Sequence, residues 1–180
     1  MTGKILVLLI AAIGIVAAIS VWYLQVYYYY ENVDEGRNSV QIVRPDSEAP
    51  ALLRAEEYHA IDANSSPIRY RACFEIAQPN VPGGALDRAR EDFTPYPGAE
   101  PLNAPFWFDC FDAAGIGAML EEGRAAAFLG TKNFAYGVDR IVAITDDGRG
   151  YVWHQPNNCG ELAYDGSPVG EECPPREDVN

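Results

Sequence analysis

From Ile5 to Leu24 the chain runs ILVLLIAAIGIVAAISVWYL, twenty residues without a charge. Each helical residue advances about 1.5 Å, so this run spans roughly 30 Å, the thickness of a bilayer's hydrocarbon core. About 150 residues follow Tyr30, enough for one domain with its own core. The chain therefore reads as an α+β protein: a single transmembrane anchor over residues 1–30 with a Tyr-rich end, a polar stalk over 31–39, and one small domain over 40–155. That domain is expected to hold an antiparallel sheet and one or two short helices, followed by a Pro-, Gly- and acid-rich tail over 156–180.

Only Lys4 and the chain amine precede the apolar run, whereas Glu31 to Gly36 is acidic. The positive-inside rule then leaves the amino terminus in the cytoplasm and the rest outside. Trp22, Tyr23, Tyr27, Tyr28, Tyr29 and Tyr30 suit an aromatic belt, with rings among headgroups and hydroxyls in water. Within the run, Ala11, Gly14 and Ala18 form with Val7 a stripe of mostly small side chains, which lets a second helix approach closely in lipid. The competing reading is a cleavable signal peptide with Ala18-Ile19-Ser20 as its processing site. The apolar run exceeds the usual 7–15 residues of such a peptide and passes straight into aromatics, which favours an uncleaved anchor. No Cys follows the run to take a lipid.

Beyond Tyr30 the chain carries 26 acidic and 12 basic residues, a net charge of −14. That balance excludes the basic footprint a nucleic-acid binder needs to displace phosphate counterions. The cysteines are Cys73, Cys110, Cys159 and Cys173. An even number suits disulfides in an oxidising compartment. Of three possible connectivities, Cys73–Cys110 with Cys159–Cys173 is preferred, because the second pair staples a Gly- and Pro-rich segment. There is no Cys-x-x-Cys and no paired His, so neither a zinc site, nor thioredoxin chemistry, nor attached haem is indicated.

Along the chain, Val40 to Val43 reads as a strand ended by Arg44-Pro45, and Ala51 to Glu57 as a short helix capped by Asp46 or Ser47. Tyr58 to Asp62 and Ile68 to Ile76 form a hairpin around a turn-rich link. In the second strand Ile68, Tyr70, Ala72, Phe74 and Ile76 alternate with Arg69, Arg71, Cys73 and Glu75, the period of a half-buried strand. Cys73 falls on the polar face, which a disulfide to a covering segment such as 104–111 (APFWFDCF) would explain. Residues 77–105 hold six prolines and read as a long loop, broken only by a short helix over Ala85 to Asp92. Asp112 is placed to cap a helix over Ala113 to Glu122 that ends at Gly123 and has Ala113, Ile116, Met119 and Leu120 on one face. Ala125 to Leu129 suits a buried strand. Val138 to Thr145 and Gly150 to Gln155 flank Asp146-Asp147-Gly148-Arg149, the pattern of a hairpin with a two-residue turn.

The residues offer little catalytic chemistry. His59 and His154 are the only histidines, both in expected strands, and would form an acid–base site only if brought together beside Asp62 or Asp139. Asp109, Asp112, Glu121 and Glu122 do not follow the spacing of a calcium loop. Gly-x-Ser-x-Gly, a phosphate loop and Gly-x-Gly-x-x-Gly are all absent, so no cofactor and no catalytic residue is assigned.

The start MTGKILVLLI, the helix exit YLQVYYYY and the late run FAYGVDRIVAITDDGRGYVWHQ together resemble an uncharacterised family of alphaproteobacterial single-pass membrane proteins. The resemblance implies an envelope location, with the helix in the bacterial inner membrane and the domain in the periplasm, and implies no activity. The expected role is a non-enzymatic accessory subunit whose helix packs in a larger membrane complex, respiratory or photosynthetic. A periplasmic sensing domain with its site under the 77–105 loop is the alternative, and a small envelope hydrolase using the two histidines a third.

Overall fold

The computed structural model describes residues 2–33, 40–77 and 84–175. Residues 34–39 of the expected stalk, the 78–83 part of the proline-rich loop and the last five residues of the tail lie outside the described residues. The uncharged run forms helix α1 (Thr2–Tyr23), which passes into a π-helical turn, Leu24–Tyr28. Together, Gly3–Tyr28 is long and apolar enough to cross a membrane, and none of its most apolar stretch is buried by the rest of the protein. Two residues after the π turn the chain enters a strand. Glu31–Asn32 (β1), read from the sequence as the start of a stalk, pairs with Asp62 and Ile61 at the sheet edge.

The head is an α+β domain built on a six-stranded antiparallel sheet. After β1 come the β2–β3 hairpin (Val40–Arg44, Ser47–Leu53), β4 (Ala55–Asp62), β5 (Arg71–Ile76) and helix α2 (Gly84–Asp92). Helix α3 (Ala113–Glu121) then precedes β6 (Ala125–Ala135), β7 (Val138–Thr145) and β8 (Arg149–Pro156). The order across the sheet is β1-β4-β5-β8-β7-β6, and β2–β3 forms a separate two-stranded piece. One face packs Phe74, Phe128, Val142 and Val152 against the β2–β3 hairpin and α2, whose Ala85, Leu86 and Ala89 are buried. The other packs Ile141, Tyr151 and Trp153 against Phe111 and Ile116, carried by the 96–111 loop and α3. Trp153 is fully buried, and burial of a side chain of this kind stabilises by about 2–3 kcal/mol. Covering both faces explains why β7 (VDRIVAIT) is a nearly continuous apolar run.

Several elements differ from the sequence expectation for local reasons. Ala51 to Glu57 is not a helix but the end of β3 and the start of β4. Asp46 sits in the tight β2–β3 turn, where Arg44 pairs with Ser47, and Leu52 is exposed while Leu53 is half-buried. Two adjacent leucines fit either period, and only pairing with β2 decides. Residues 63–70 form the turn, so the second strand starts at Arg71 rather than Ile68. Its Arg71 and Cys73 are buried, because the 102–111 loop covers what reads as a solvent face. β6 runs six residues past Leu129. The β7–β8 turn has three residues, with Gly148 alone left-handed (φ 84°) and its N–H donating to Thr145 O at 3.2 Å. That is a type I turn closed by a glycine bulge, so Asp147 keeps a negative φ.

The sulfurs pair as Cys73–Cys110 and Cys159–Cys173. Between the second pair the chain makes its own small loop, in which Val169 N–H donates to Glu161 O and Gly160 N–H to Glu171 O.

Candidate functional site: the helix–head junction

Where the helix ends, the head reaches back to hold it. The Trp107 indole N–H donates to Val26 O at 2.7 Å, satisfying one of the carbonyls a helix end leaves unpaired. Its ring stacks on Tyr27 (centroids 6.1 Å apart, planes 14°) and meets the edge of Tyr30 at 5.8 Å. Phe106 stands edge-on to Tyr27, and Tyr23 stacks on the same Tyr27 ring. On a second side, Arg69 donates to the Gln25 side-chain oxygen at 2.8 Å and lies over Tyr30 at 5.6 Å. Contacts between aromatic pairs contribute about 0.5–1.5 kcal/mol each beyond the area they bury.

The loop bearing Trp107 is fixed at both ends. At one end Arg71 donates to four backbone carbonyls: Leu102 (2.7 Å) and Asn103 (3.2 Å) of that loop, and Ile68 (2.8 Å) and Tyr70 (2.6 Å) of the turn carrying Arg69. No carboxylate is needed, although burial pulls the Arg71 guanidinium down to about 10. At the other end Cys110 is bonded to Cys73 in the sheet. An arginine clamp and a disulfide thus bracket the Phe106-Trp107-Phe108 segment, so the helix end, the loop and β5 form one packed unit.

The structure separates the histidines. His59 lies opposite Cys73 on β5, and Cys73 lies opposite Tyr151 on β8. His154, three residues beyond Tyr151, therefore faces the other side of the sheet. It is fully buried, stacked on Tyr70 at 4.8 Å, and accepts from Arg140 Nε–H at 2.9 Å. Nε2 being the acceptor, the proton sits on Nδ1 and is donated to Pro67 O at 2.6 Å. Burial, with the Arg140 charge beside it, pulls His154 down to about 3, so the ring is neutral. Asp62 and Asp139 join neither histidine: Asp62 accepts from Ala63 N–H, and Asp139 faces away from Arg140.

Asp139 organises a second polar centre. It is fully buried and accepts from Asn133 N–H (2.8 Å), Asn157 Nδ2 (2.7 Å) and Tyr96 Oη (3.1 Å), with Lys132 Nζ at 3.4 Å. Lys132 also pairs with Glu171 at 2.6 Å, which ties the disulfide-closed segment to the sheet. Burial and the Asp139 charge push the Tyr96 phenol up. A cleft of about 470 Å³ opens here under Pro95–Gly98, beside Lys132, Asn157 and Glu171. Several of its polar side chains are used internally: Gln155, for example, accepts from Glu100 N–H and donates to Gly98 O. Among the described residues no group of three or more His, Cys, Asp or Glu converges to hold a metal ion.

Sequence reasoning singled out the cysteines and the helix-exit aromatics but missed Trp107, Arg71 and Arg140, and it named Asp139 only as a partner for the histidines, not as the centre of its own polar network. The signal for Asp139 and Arg140 was a charged pair inside an otherwise apolar strand, Val138 to Thr145. Nothing local marks Trp107, whose partner is 81 residues away. No curated protein and no solved structure matches the chain. Residues 40–174, the head without the rod, match the DUF6446 family, a family of unknown function, and the chain belongs to that family.

Proposed function

We propose that this is a single-pass anchored protein of the bacterial inner membrane, with its amino terminus in the cytoplasm and its head in the periplasm. Its role in this reading is that of a non-enzymatic accessory subunit of a larger membrane complex. The observation that carries the proposal is the junction: Val26 and Tyr27 are packing and hydrogen-bonding partners of Trp107, so the rod's end belongs to the head's own structure. A disposable leader has no need of such a fit. The charge bias at Lys4 supports the orientation, and the two disulfides support an oxidising compartment. Trp22, Tyr23 and Tyr27 to Tyr30 form the aromatic belt at the outer surface. Ala11, Gly14 and Ala18 are exposed along α1, with open space where a Cβ on Gly14 would stand, and they receive the partner's helix.

Pull-down of the intact chain from gently solubilised membranes, with the mass of the mature chain measured alongside, tests this reading. Stoichiometric co-purification of an integral membrane protein, weakened by Gly14→Leu, is expected. A solitary monomer overturns the accessory role, and a mature chain starting near Val21 overturns the anchor. The sensing alternative keeps one observation in its favour, the cleft under Pro95–Gly98. It ranks second because Tyr96, Lys132, Gln155, Asn157 and Glu171, which line that cleft, already have partners within the fold.

A further inference from the structure

Phe106, on the loop that holds the helix, is 68% exposed although it belongs to the head. Its ring contact among the described residues is with the helix, edge-on to Tyr27 at 5.9 Å. Trp107, Phe108, Asp109 and Cys110 line a cleft against Tyr58 and His59 of β4, and Phe106 is outside that lining. The loop cannot draw the ring back. Arg71 holds the Leu102 and Asn103 carbonyls, the Trp107 N–H holds Val26 O, and Cys110 is bonded to Cys73. Pro101 to Phe108 reads PLNAPFWF, without a charge, in an otherwise acidic head.

In the anchored reading the helix fixes how deep that ring stands. The uncharged run ends at Leu24, so the headgroup layer occupies about the next 6 Å along the axis. Tyr27 follows three residues later, about 4.5 Å on, and helical side chains lean back toward the amino terminus. Its contacts show the lean: the Tyr27 ring lies 6.0 Å from Tyr23 and 5.6 Å from Trp22, both on the preceding turn. That ring therefore stands at the border of acyl chains and headgroups, with Phe106 beside it. The small-residue stripe faces elsewhere. At about 100° per residue, Ala11, Gly14 and Ala18 are about 120–180° around the helix from Tyr23, which stacks on Tyr27. A partner's helix seated on the stripe thus leaves the Phe106 side to lipid.

We propose that Phe106 is a second point of entry into the bilayer, its ring set among the glycerol groups and first acyl carbons of the outer leaflet beside α1. The inference rests on the anchored reading above, and deepens it by naming lipid as what covers this side of the junction. An apolar ring kept in water forgoes the gain of burial, and the interface is where aromatic rings gather in membrane proteins. Held by both helix and loop, the head meets the surface at two points rather than one.

The test uses the full chain in nanodiscs of phosphatidylcholine and phosphatidylglycerol, with the photo-crosslinker para-benzoylphenylalanine in place of Phe106, of Tyr23 or of Leu52. Leu52 is as open as Phe106, at 67%, but it lies next to the start of β4, whose other end, Asp62, is the one beside β1. After irradiation the intact mass of the chain reads what each ring touches. The yield of lipid adduct at 106 should be within about threefold of that at 23 and at least about tenfold above that at 52, as expected for a ring at the interface. Lipid adduct at 23 without adduct at 106 overturns the proposal and leaves the anchor standing. A chain-to-chain adduct at 106 puts a second copy over the ring, and equal lipid adduct at 106 and 52 marks contact common to any exposed site; each overturns the proposal. If position 23 takes no lipid either, the anchored reading fails, and the proposal with it.

Discussion

Trp107 is the most direct place to test the junction. Trp107→Phe keeps a ring on Tyr27 but removes the N–H that reaches Val26 O. One neutral hydrogen bond contributes about 1 kcal/mol net, so local opening of the helix exit should become about fivefold more frequent. Trp107→Ala also removes the half-buried indole from Tyr27 and Tyr30, a loss of about 3 kcal/mol and an increase in opening of about 150-fold. Native-state hydrogen exchange on the full chain in nanodiscs reads this directly, at the amides of residues 24–30. Amides of β7, in the sheet core, should keep their protection in both variants, which separates a loosened joint from a destabilised head. Equal protection at 24–30 in the parent and both variants would refute the claim that the head holds the helix. Loss of protection in β7 to the same degree would show instead that Trp107 serves the head's global stability.

Other outcomes follow from the same structure. His154 is neutral in the fold while its unfolded value is 6.5. The unfolded chain therefore takes up a proton that the folded chain refuses until about pH 3, and stability falls as pH drops through that window, by about 1.4 kcal/mol per pH unit from this residue. Urea unfolding across the pH series should show a shallower slope for His154→Gln than for the parent. Removing the Cys73–Cys110 bond as a double serine variant should lower stability by about 4 kcal/mol, and removing Cys159–Cys173 by about 3 kcal/mol, in the chain-entropy model; thermal melts check both. At Gly150 a Cβ would fall 2.0 Å from the buried Phe74 ring, so Gly150→Ala should cost about 1–3 kcal/mol by overpacking, and Phe74→Leu in the same chain should recover part of the loss. Asp139→Ala strands the Asn133, Asn157 and Tyr96 donors and should cost about 3 kcal/mol, with exchange at the β6–β7 tip rising more than at β8.

The fold class was legible because its signals are periodic and long. The twenty-residue uncharged run, the β7 and β8 stretches around Asp146-Asp147-Gly148, and the one-sided apolar face of α3 each needed only local sequence. Boundaries failed where two periods compete, as at Leu52-Leu53, or where tertiary cover changes a face. The alternation in Arg69 to Glu75 reads as one wet side until the 102–111 loop, itself without periodicity, is laid over it. The site was the least legible part. Trp107 on Val26 and Arg71 on Leu102 are contacts between a side chain and a distant backbone carbonyl, and a carbonyl carries no residue identity to recognise in advance. Arg140 and His154 are neighbours only through the β7–β8 pairing, a register fixed by the turn between them.

The direct passage from Tyr28 through Tyr30 into β1 leaves almost no slack between rod and sheet. With the indole latched onto the last turn, rotation of the helix about its own axis becomes rotation of the head. A turn of about 20° would sweep the far edge of the sheet, some 24 Å out by strand spacing, through about 8 Å. In the anchored reading proposed above, a neighbouring helix that merely rolled against the small-residue stripe would thus move a surface on the far side of the lipid, as a crank moves its handle.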